Sequence, residues 1–266
     1  MVAAAARAGV ELLALTDHDT VDGVPEARDA SAGLGLRLVA GVEISTIDAG
    51  RGDLHVLGYL IDDRDETLSE RLRAYRADRG RRADAIAQAL RDLGFELDEQ
   101  ALEDRSAQGK TIGRPHLAQA VVAHPANAER LAAEGRLDPS AFLVAYLIEG
   151  RPAFVSRVAP SVSEAIDAIH DAGGVAVWAH PFWDVADPGE VLAAIDRFHA
   201  HGLDGVECFY ATHHRDQAEL LADRCAELGL LSTGSADFHG PDHRQFSAFR
   251  AFGTYGCQPV LGPIAG

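Results

Sequence analysis

Residues 161–181 read SVSEAIDAIHDAGGVAVWAHP and carry the signals of one helix followed by one strand. Ser161 and Glu164 have the spacing of a capping box, which begins a helix. Gly173 can adopt the left-handed conformation that ends a helix, and the apolar run GVAVWA follows it at once. The segment therefore predicts a helix that leads directly into a buried strand, and this strand ends at His180.

Similar apolar runs recur along the chain. Short, nearly continuous hydrophobic runs are typical of parallel strands that are buried on both faces. Helix-like stretches separate several of these runs, so we predict the α/β class. The runs are LLALTD from residue 12, LVAGVEIST from 38, LHVLGYLI from 54, GVAVWAHP from 174, GVECF from 205 and LLSTGSADFH from 230.

Residues 62–154 break this alternation. Leu68 and Leu72, then Ile86 and Leu90, have helical spacing, and strand-like runs are nearly absent from the stretch. We therefore predict a mainly helical insertion over 62–154. It divides the α/β part into a first portion, residues 1–61, and a second portion, residues 155–266.

Composition excludes several classes of protein. The 266 residues are 47% apolar, and 24 basic against 41 acidic residues give a net charge of −17. Such a charge repels a phosphodiester backbone, so broad binding of duplex nucleic acid is not expected. The sequence contains neither an apolar run long enough to span a membrane nor a signal-peptide pattern, which predicts a cytoplasmic protein. Three cysteines without CxxC spacing are interpreted as reduced structural thiols.

Residues that bind metals fall beside the predicted strands. Alone, each has a structural interpretation, such as a hydrogen-bonded histidine or a helix cap. In a parallel barrel, however, the carboxyl ends of the strands meet at one rim, so such residues converge. Histidine with carboxylate suits Zn²⁺, Mn²⁺ or Fe²⁺, and the set predicts a polynuclear metal site. Its members are His18, Glu43, His180, Asp237 and His239 after apolar runs, and His55 early in its own run.

The ordered motifs resemble those of the polymerase-and-histidinol-phosphatase (PHP) family of metal-dependent phosphoesterases. They are LALTDHDT at 13–20, GVEIS at 41–45, LHVLGY at 54–59, GRPH at 113–116, AGGVAVWAHP at 172–181 and SADFHG at 235–240. The resemblance implies a distorted seven-stranded β/α barrel formed by residues 1–61 and 155–266. The most similar branch hydrolyses nucleoside 3′,5′-bisphosphates and trims short RNA from the 5′ end.

The resemblance also implies a site for up to three Mn, Fe or Zn ions. The ligands it implies are Glu43 as a bridge between the first two ions, Asp237 on the first, His55 and His180 on the second, and His18 and His239 on the third. Arg114 corresponds to a phosphate-contacting arginine, although an ordinary surface ion pair is its alternative interpretation. His213 corresponds to a histidine that faces the substrate, and His116 is a further candidate there.

One family element is missing before TDHD. The first strand of the family carries an HxH pair, but this chain opens with MVAAAARAGVELLAL, and residues 2–8 are predicted to form the helix that follows that strand. We therefore expect the first strand to be absent, through a start assigned too late or a truncation. The first and third ions then lose ligands, whereas the second keeps Glu43, His55 and His180.

The predicted reaction is hydrolysis of nucleotide phosphate esters by a metal-bridged hydroxide. Glu43, Arg114 and His213 are the candidate catalytic residues, and Arg114, His213 and His116 the candidate substrate contacts. Whether His213 or a metal-bound water protonates the leaving oxygen stays open. The substrate would be a small phosphorylated nucleotide or a short oligonucleotide end. Two alternatives are a degenerate barrel that binds metal or nucleotide without catalysis, and a metal-dependent amidohydrolase.

Overall fold

The computed structural model describes residues 1–48, 51–107, 112–156 and 159–266. The described strands are β1 Leu12–Leu15, β2 Arg37–Asp48, β3 Arg51–Tyr59, β4 Val175–Trp178, β5 Gly205–Tyr210 and β6 Leu231–Ser235. The described helices are α1 Val2–Arg7, α2 Val24–Ser31, α3 Glu66–Asp92, α4 Glu99–Ala107, α5 Arg114–Ala123, α6 Ala128–Glu134, α7 Pro139–Tyr146, α8 Val162–Asp171, α9 Pro181–Asp184, α10 Pro188–Ala200 and α11 Arg215–Leu228. Short 3-10 turns lie at Pro125–Asn127 and Gly262–Ala265.

The six strands form one sheet in the order β1-β2-β3-β4-β5-β6, and all six predicted runs are in it. Helices precede or follow most of these strands, which confirms the α/β class. The prediction that the runs are parallel strands is correct for β1 with β2 and for β4, β5 and β6. It is wrong for β3, which is antiparallel to both β2 and β4. The short step from Asp48 to Arg51 explains this, because only antiparallel neighbours can be joined without a crossover.

The predicted signals around α8 are confirmed. The Ser161 hydroxyl accepts a hydrogen bond from the Glu164 backbone N–H at 3.2 Å, and Glu164 Oε2 accepts one from the Ser161 N–H at 2.7 Å. Gly173 has a φ of +73° and lets the chain leave α8 two residues before β4. The helix turns a buried face inward, through Ala165, Ile166 and Ile169.

The chain divides into two compact units. The first contains residues 1–73 and 159–266, including the sheet. The second contains residues 74–158, and its described residues form helices around their own core. In that core the Phe95 ring lies 5.1 Å from the Phe142 ring and 5.0 Å from the Tyr146 ring. None of the helices in the described ranges is long and apolar enough to cross a membrane.

Candidate functional site

Glu43 is the centre of a cluster of imidazoles inside the first unit. Its Oε1 lies 2.8 Å from His55 Nδ1 and 3.3 Å from His180 Nε2. Its Oε2 lies 3.8 Å from His18 Nδ1. The structure therefore brings three of the predicted ligands, His18, His55 and His180, around a fourth, the buried carboxylate of Glu43.

The TDHD segment reaches Glu43 because it extends the pairing of β1 with β2. His18 and Glu43 form an isolated parallel bridge, and the Asp19 N–H donates to the Glu43 carbonyl at 2.9 Å. Asp19 is fully buried, and its Oδ1 accepts a hydrogen bond from the Ser45 N–H at 2.9 Å. These contacts fix the backbone of the segment beside β2. Asp19 thus positions the loop, and His18 is the residue of the segment that faces Glu43.

The antiparallel direction of β3 explains why a histidine early in its strand joins the same cluster. Ser45 in β2 is opposite His55 in β3, and Glu43 is opposite Leu57. The start of β3 therefore lies beside the second half of β2. His55 and Glu43 are two positions apart in this register and project from the same face of the sheet. A parallel β3 would have placed His55 at the other end of β2.

His180 is the second residue after β4, in a strained backbone conformation with a φ of +29°. Its backbone N–H donates to Glu207 Oε2 at 3.0 Å, and its Nε2 lies 3.3 Å from His55 Nδ1. Glu207 is a buried acid in β5, so it holds the backbone of His180 from the neighbouring strand. Left-handed conformations of non-glycine residues are concentrated at functional sites.

Asp237 and His239 lie after β6, and Asp237 also has a positive φ, +48°. Asp237 Oδ2 accepts a hydrogen bond from the Tyr210 hydroxyl at 2.7 Å. The His239 ring lies 6.4 Å from the His18 ring, and His239 Nδ1 donates to the Asp237 carbonyl at 2.7 Å. His239 therefore lies near His18, and Asp237 is held between His239 and Tyr210.

The charges within the cluster are strongly coupled. Burial alone would raise the pKa of Glu43, but His18, His55 and His180 together lower it well below its ordinary value. Burial alone would lower the pKa of His180, but Asp184 and Glu43 raise it well above the ordinary value. The site thus favours an ionised carboxylate with positive charge around it. A divalent cation supplies that positive charge more compactly than protonated imidazoles do.

His213 is buried at the side of the cluster. Its Nδ1 lies 3.0 Å from the Cys208 carbonyl and donates to it, which leaves Nε2 as the acceptor nitrogen. Nε2 is buried and has no hydrogen-bond partner among the residues that the structure describes. Burial lowers the pKa of His213 to about 4, so the ring is neutral near pH 7. Its ring lies 5.4 Å from that of Tyr210.

Arg114 and His116 belong to the second unit. Arg114 is the first residue of α5, and Pro115 follows it in the first turn. His116 Nδ1 accepts a hydrogen bond from the Gly113 N–H at 3.1 Å. Burial and the nearby charge of Arg105 lower the pKa of His116 to about 4. The role of Arg114 and His116 in substrate binding stays a prediction.

Sequence analysis missed two residues of the site, Glu207 and Tyr210. Both lie in the run GVECF and the residue after it, which we interpreted only as a strand. An acid within a fully apolar strand was the available signal, because a buried carboxylate needs a partner. Glu207 finds it in the His180 backbone. Burial raises the pKa of Glu207 to about 7.

Comparison with characterised proteins gives close relatives, although no protein-family model matches the chain. A 5′-3′ exoribonuclease of Haemophilus influenzae is 34% identical over 235 residues, which are 88% of this chain and 81% of the relative. A 3′,5′-nucleoside bisphosphate phosphatase of Chromobacterium violaceum is 33% identical over 242 residues, 90% of this chain and 80% of the relative.

Solved structures agree with these relatives. A protein of Bifidobacterium adolescentis described as a metal-dependent phosphoesterase superposes with a TM-score of 0.72 at 30% identity, over 94% of this chain and 84% of that one. A Chromobacterium violaceum protein described as an amidohydrolase, with bound sulfate, superposes with a TM-score of 0.73 at 30% identity, over 91% of this chain and 82% of that one. Most of the chain is thus shared, in sequence and in fold, with enzymes that act on phosphate esters. The chain belongs to the PHP family of metal-dependent phosphoesterases.

Proposed function

We propose that the protein hydrolyses phosphate esters of small nucleotides, either nucleoside 3′,5′-bisphosphates or the 5′ ends of short RNA. The observation that carries the proposal is the convergence of His18, His55 and His180 on the single buried carboxylate of Glu43. The names of the Haemophilus and Chromobacterium relatives support the substrate class.

The donor set fits divalent metal ions. Ligand atoms of His18, Glu43 and His55 all lie within 4.8 Å of one another, a separation that ligands of one ion or of neighbouring ions can have. Imidazole and carboxylate are donors suited to Mn, Fe and Zn. We propose the ligand set named from the sequence: His18, Glu43, His55, His180, Asp237 and His239. Ions bound there supply Lewis acidity, which activates water and offsets charge on phosphoryl oxygens.

Other roles in the proposed reaction belong to residues of the chain. Glu43 orients three imidazoles through one carboxylate, and Glu207 fixes the backbone of His180. His213 presents Nε2 as an acceptor, so it is suited to accept a hydrogen bond from a substrate hydroxyl; because its pKa is lowered to about 4, it carries no second proton to donate at neutral pH. Arg114 and His116 are proposed phosphate contacts.

The wider predictions from the sequence are part of the same proposal. We propose that the six strands are six of the seven strands of the family's β/α barrel, that residues 62–154 are an insertion into it, and that the protein acts in the cytoplasm. An amidohydrolase is the second candidate function, favoured by the description of one Chromobacterium violaceum structure. The two candidates share a metal site and differ in substrate.

The decisive experiment compares Glu43→Gln with the wild-type protein. Phosphate release from adenosine 3′,5′-bisphosphate is measured after purification in the presence of Mn²⁺, and metal content is measured by elemental analysis. We expect the variant to lose bound metal and at least about 100-fold in activity, since even outer partners of a metal ligand contribute 10–100-fold. Glu26→Gln, an exposed acid in α2 of the same unit, is the control for the change in charge.

Three results would contradict the proposal. Unchanged metal content in Glu43→Gln would remove Glu43 from the metal site. Metal binding without any phosphate release by the wild-type protein would favour the degenerate barrel. Cleavage of acyl amides in place of phosphate esters would favour the amidohydrolase.

A further inference from the structure

Trp183 is a large aromatic residue that is half exposed to solvent beside the candidate metal site. Its exposed fraction is 49%, and within the described ranges it is the only exposed residue among Trp, Tyr and Phe. It lies in α9, three residues after His180, and its backbone N–H donates to the His180 carbonyl at 2.8 Å. The position of Trp183 is therefore tied to the backbone of a proposed metal ligand.

Two buried aromatic rings support Trp183. The Trp183 ring centroid is 5.6 Å from that of Phe246 and 6.4 Å from that of Tyr210. Phe246 and Tyr210 are themselves 5.7 Å apart, and both are buried. Such separations are typical of packed aromatic rings. The face that remains in contact with water thus belongs to a ring held by rigid neighbours.

The supporting rings also contact the other proposed ligands. The Phe246 carbonyl accepts a hydrogen bond from the His239 N–H at 2.9 Å, and the two rings are 5.6 Å apart. The Tyr210 hydroxyl donates to Asp237. A molecule lying on Trp183 would therefore lie next to the metal site.

His243 extends this aromatic surface. Its exposed ring stacks on Phe246, with centroids 5.2 Å apart and planes inclined by 20°. Its Nδ1 accepts a hydrogen bond from the Phe246 N–H at 2.9 Å, which fixes the ring. We call Trp183, Phe246, Tyr210 and His243 the aromatic platform.

We infer that the aromatic platform is the subsite for the base of the nucleotide substrate, with Trp183 as the stacking residue. This inference rests on the proposed function and specifies how the substrate is recognised. Every base has a π face, so stacking on an aromatic side chain stabilises binding with little sequence preference. Stacking needs no positive charge, which matters in a chain of net charge −17 that repels anions at long range.

Fluorescence tests the platform without any catalytic readout. The chain has two tryptophans, and Trp178 is fully buried, so a ligand that stacks on the surface quenches Trp183. We expect adenosine 5′-monophosphate to quench the emission of the wild-type protein with saturation. Ribose 5-phosphate, which lacks the base, should quench little, and Trp183→Phe should abolish the response to both. Equal quenching by the two ligands, or none by either, overturns the inference.

Kinetics test the same surface during turnover. Trp183→Ala should lower kcat/KM for adenosine 3′,5′-bisphosphate about tenfold, which corresponds to about 1.4 kcal/mol of lost stacking, mainly through a higher KM. The matched Trp183→Phe keeps an aromatic face and should stay within about threefold of wild type. Ribose 3,5-bisphosphate should be hydrolysed equally by all three proteins.

The outcomes distinguish a failure of the base subsite from a failure of the proposed function. If Trp183→Ala slows both substrates equally while its circular dichroism is unchanged, Trp183 only shields Phe246 and Tyr210, and the platform is wrong. If no phosphate ester is hydrolysed at all, the proposed function fails. The quenching by adenosine 5′-monophosphate then decides whether the base subsite exists.

Discussion

Glu207 is a carboxylic acid in the interior of the first unit, with 1% of its surface exposed. Its carboxylate accepts the His180 N–H, but burial dominates and raises its pKa to about 7 from an ordinary value of 4.5. The folded protein therefore holds this proton more tightly than the unfolded chain does. The resulting stability is fully present below about pH 4.5 and is lost as the pH rises through about 7.

Glu207→Gln should remove this pH dependence. In metal-free protein, the free energy of unfolding of the variant should rise relative to that of wild type by about 2 kcal/mol between pH 5 and pH 8. The slope should be at most ~1.4 kcal/mol per pH unit. Glutamine keeps the acceptor oxygen for the His180 N–H. Urea unfolding in the presence of a chelator measures the effect, with Glu26→Gln as the control. A difference that does not change with pH would show that Glu207 is ionised throughout this range.

At the level of single residues, the sequence predicted the candidate ligands better than their surroundings. His18, Glu43, His55 and His180 could be named because imidazole and carboxylate recur beside apolar runs, and these four lie together. Glu207 could not be assigned to His180, because the contact joins a side chain to a backbone group 27 residues away. The exposure of Trp183 could not be predicted either, because a tryptophan beside another aromatic residue, Phe182, favours burial.

Strand β2 holds Glu43 between β1 and β3, and close backbone packing around Gly41 makes this possible. A Cβ atom at Gly41 would lie 2.8 Å from the Gly58 carbonyl and 2.8 Å from Thr16 Cγ2. Both distances are far shorter than ordinary van der Waals contacts. The backbone of β2 would therefore have to move, and Glu43 would move with it.

Gly41→Ala should destabilise the protein by about 1–3 kcal/mol, the usual effect of overpacking, and weaken metal retention. Gly80→Ala is the matched control, because Gly80 lies within α3 and a Cβ there has no atom within 4 Å. It should stabilise the protein by about 0.5–1 kcal/mol, since alanine is the better helix former. Urea unfolding and elemental analysis measure both variants. A Gly41→Ala protein as stable as Gly80→Ala would contradict the close packing.

At the level of elements, hydrophobicity predicted where strands form and not which way they run. All six runs became strands, but an apolar run has the same composition in either direction, so the antiparallel β3 was missed. The boundaries of strands were equally hard to predict. β2 continues to Asp48, beyond the predicted end at Thr46, because β3 pairs with it there. The link from Asp48 to Arg51 is too short for a crossover, so β3 runs antiparallel to β2.

The whole molecule carries a net charge of −17, which restricts the kinds of nucleic acid that it can bind. Proteins that bind duplexes release counterions and show a steep fall of affinity with salt. An acidic surface has the opposite tendency, so only a local contact at a strand end or a small nucleotide should be productive. The family of the chain does not set this restriction. It follows from the charge of this particular sequence.

A duplex should therefore compete poorly with a nucleotide. In 50 mM salt, a blunt 20-base-pair duplex without terminal phosphates should leave hydrolysis of adenosine 3′,5′-bisphosphate unchanged up to roughly 100 μM, the weak end of non-specific affinities. A short single strand with a 5′ phosphate should compete as an alternative substrate. Inhibition by the duplex that disappears steeply as salt is added would reveal a basic surface that the net charge conceals.

The left-handed backbones of Asp19, His180 and Asp237 place conformational strain at three residues of one centre. Each such residue typically costs about 1–3 kcal/mol, against a total stability of about 5–15 kcal/mol for a domain. Glycine would relieve much of this strain but would also delete the proposed ligand atoms of His180 and Asp237 and the carboxylate of Asp19 that holds the loop. Thermal stability and chemistry are therefore opposed at these positions, and a lineage selected for stability alone would tend to lose these side chains.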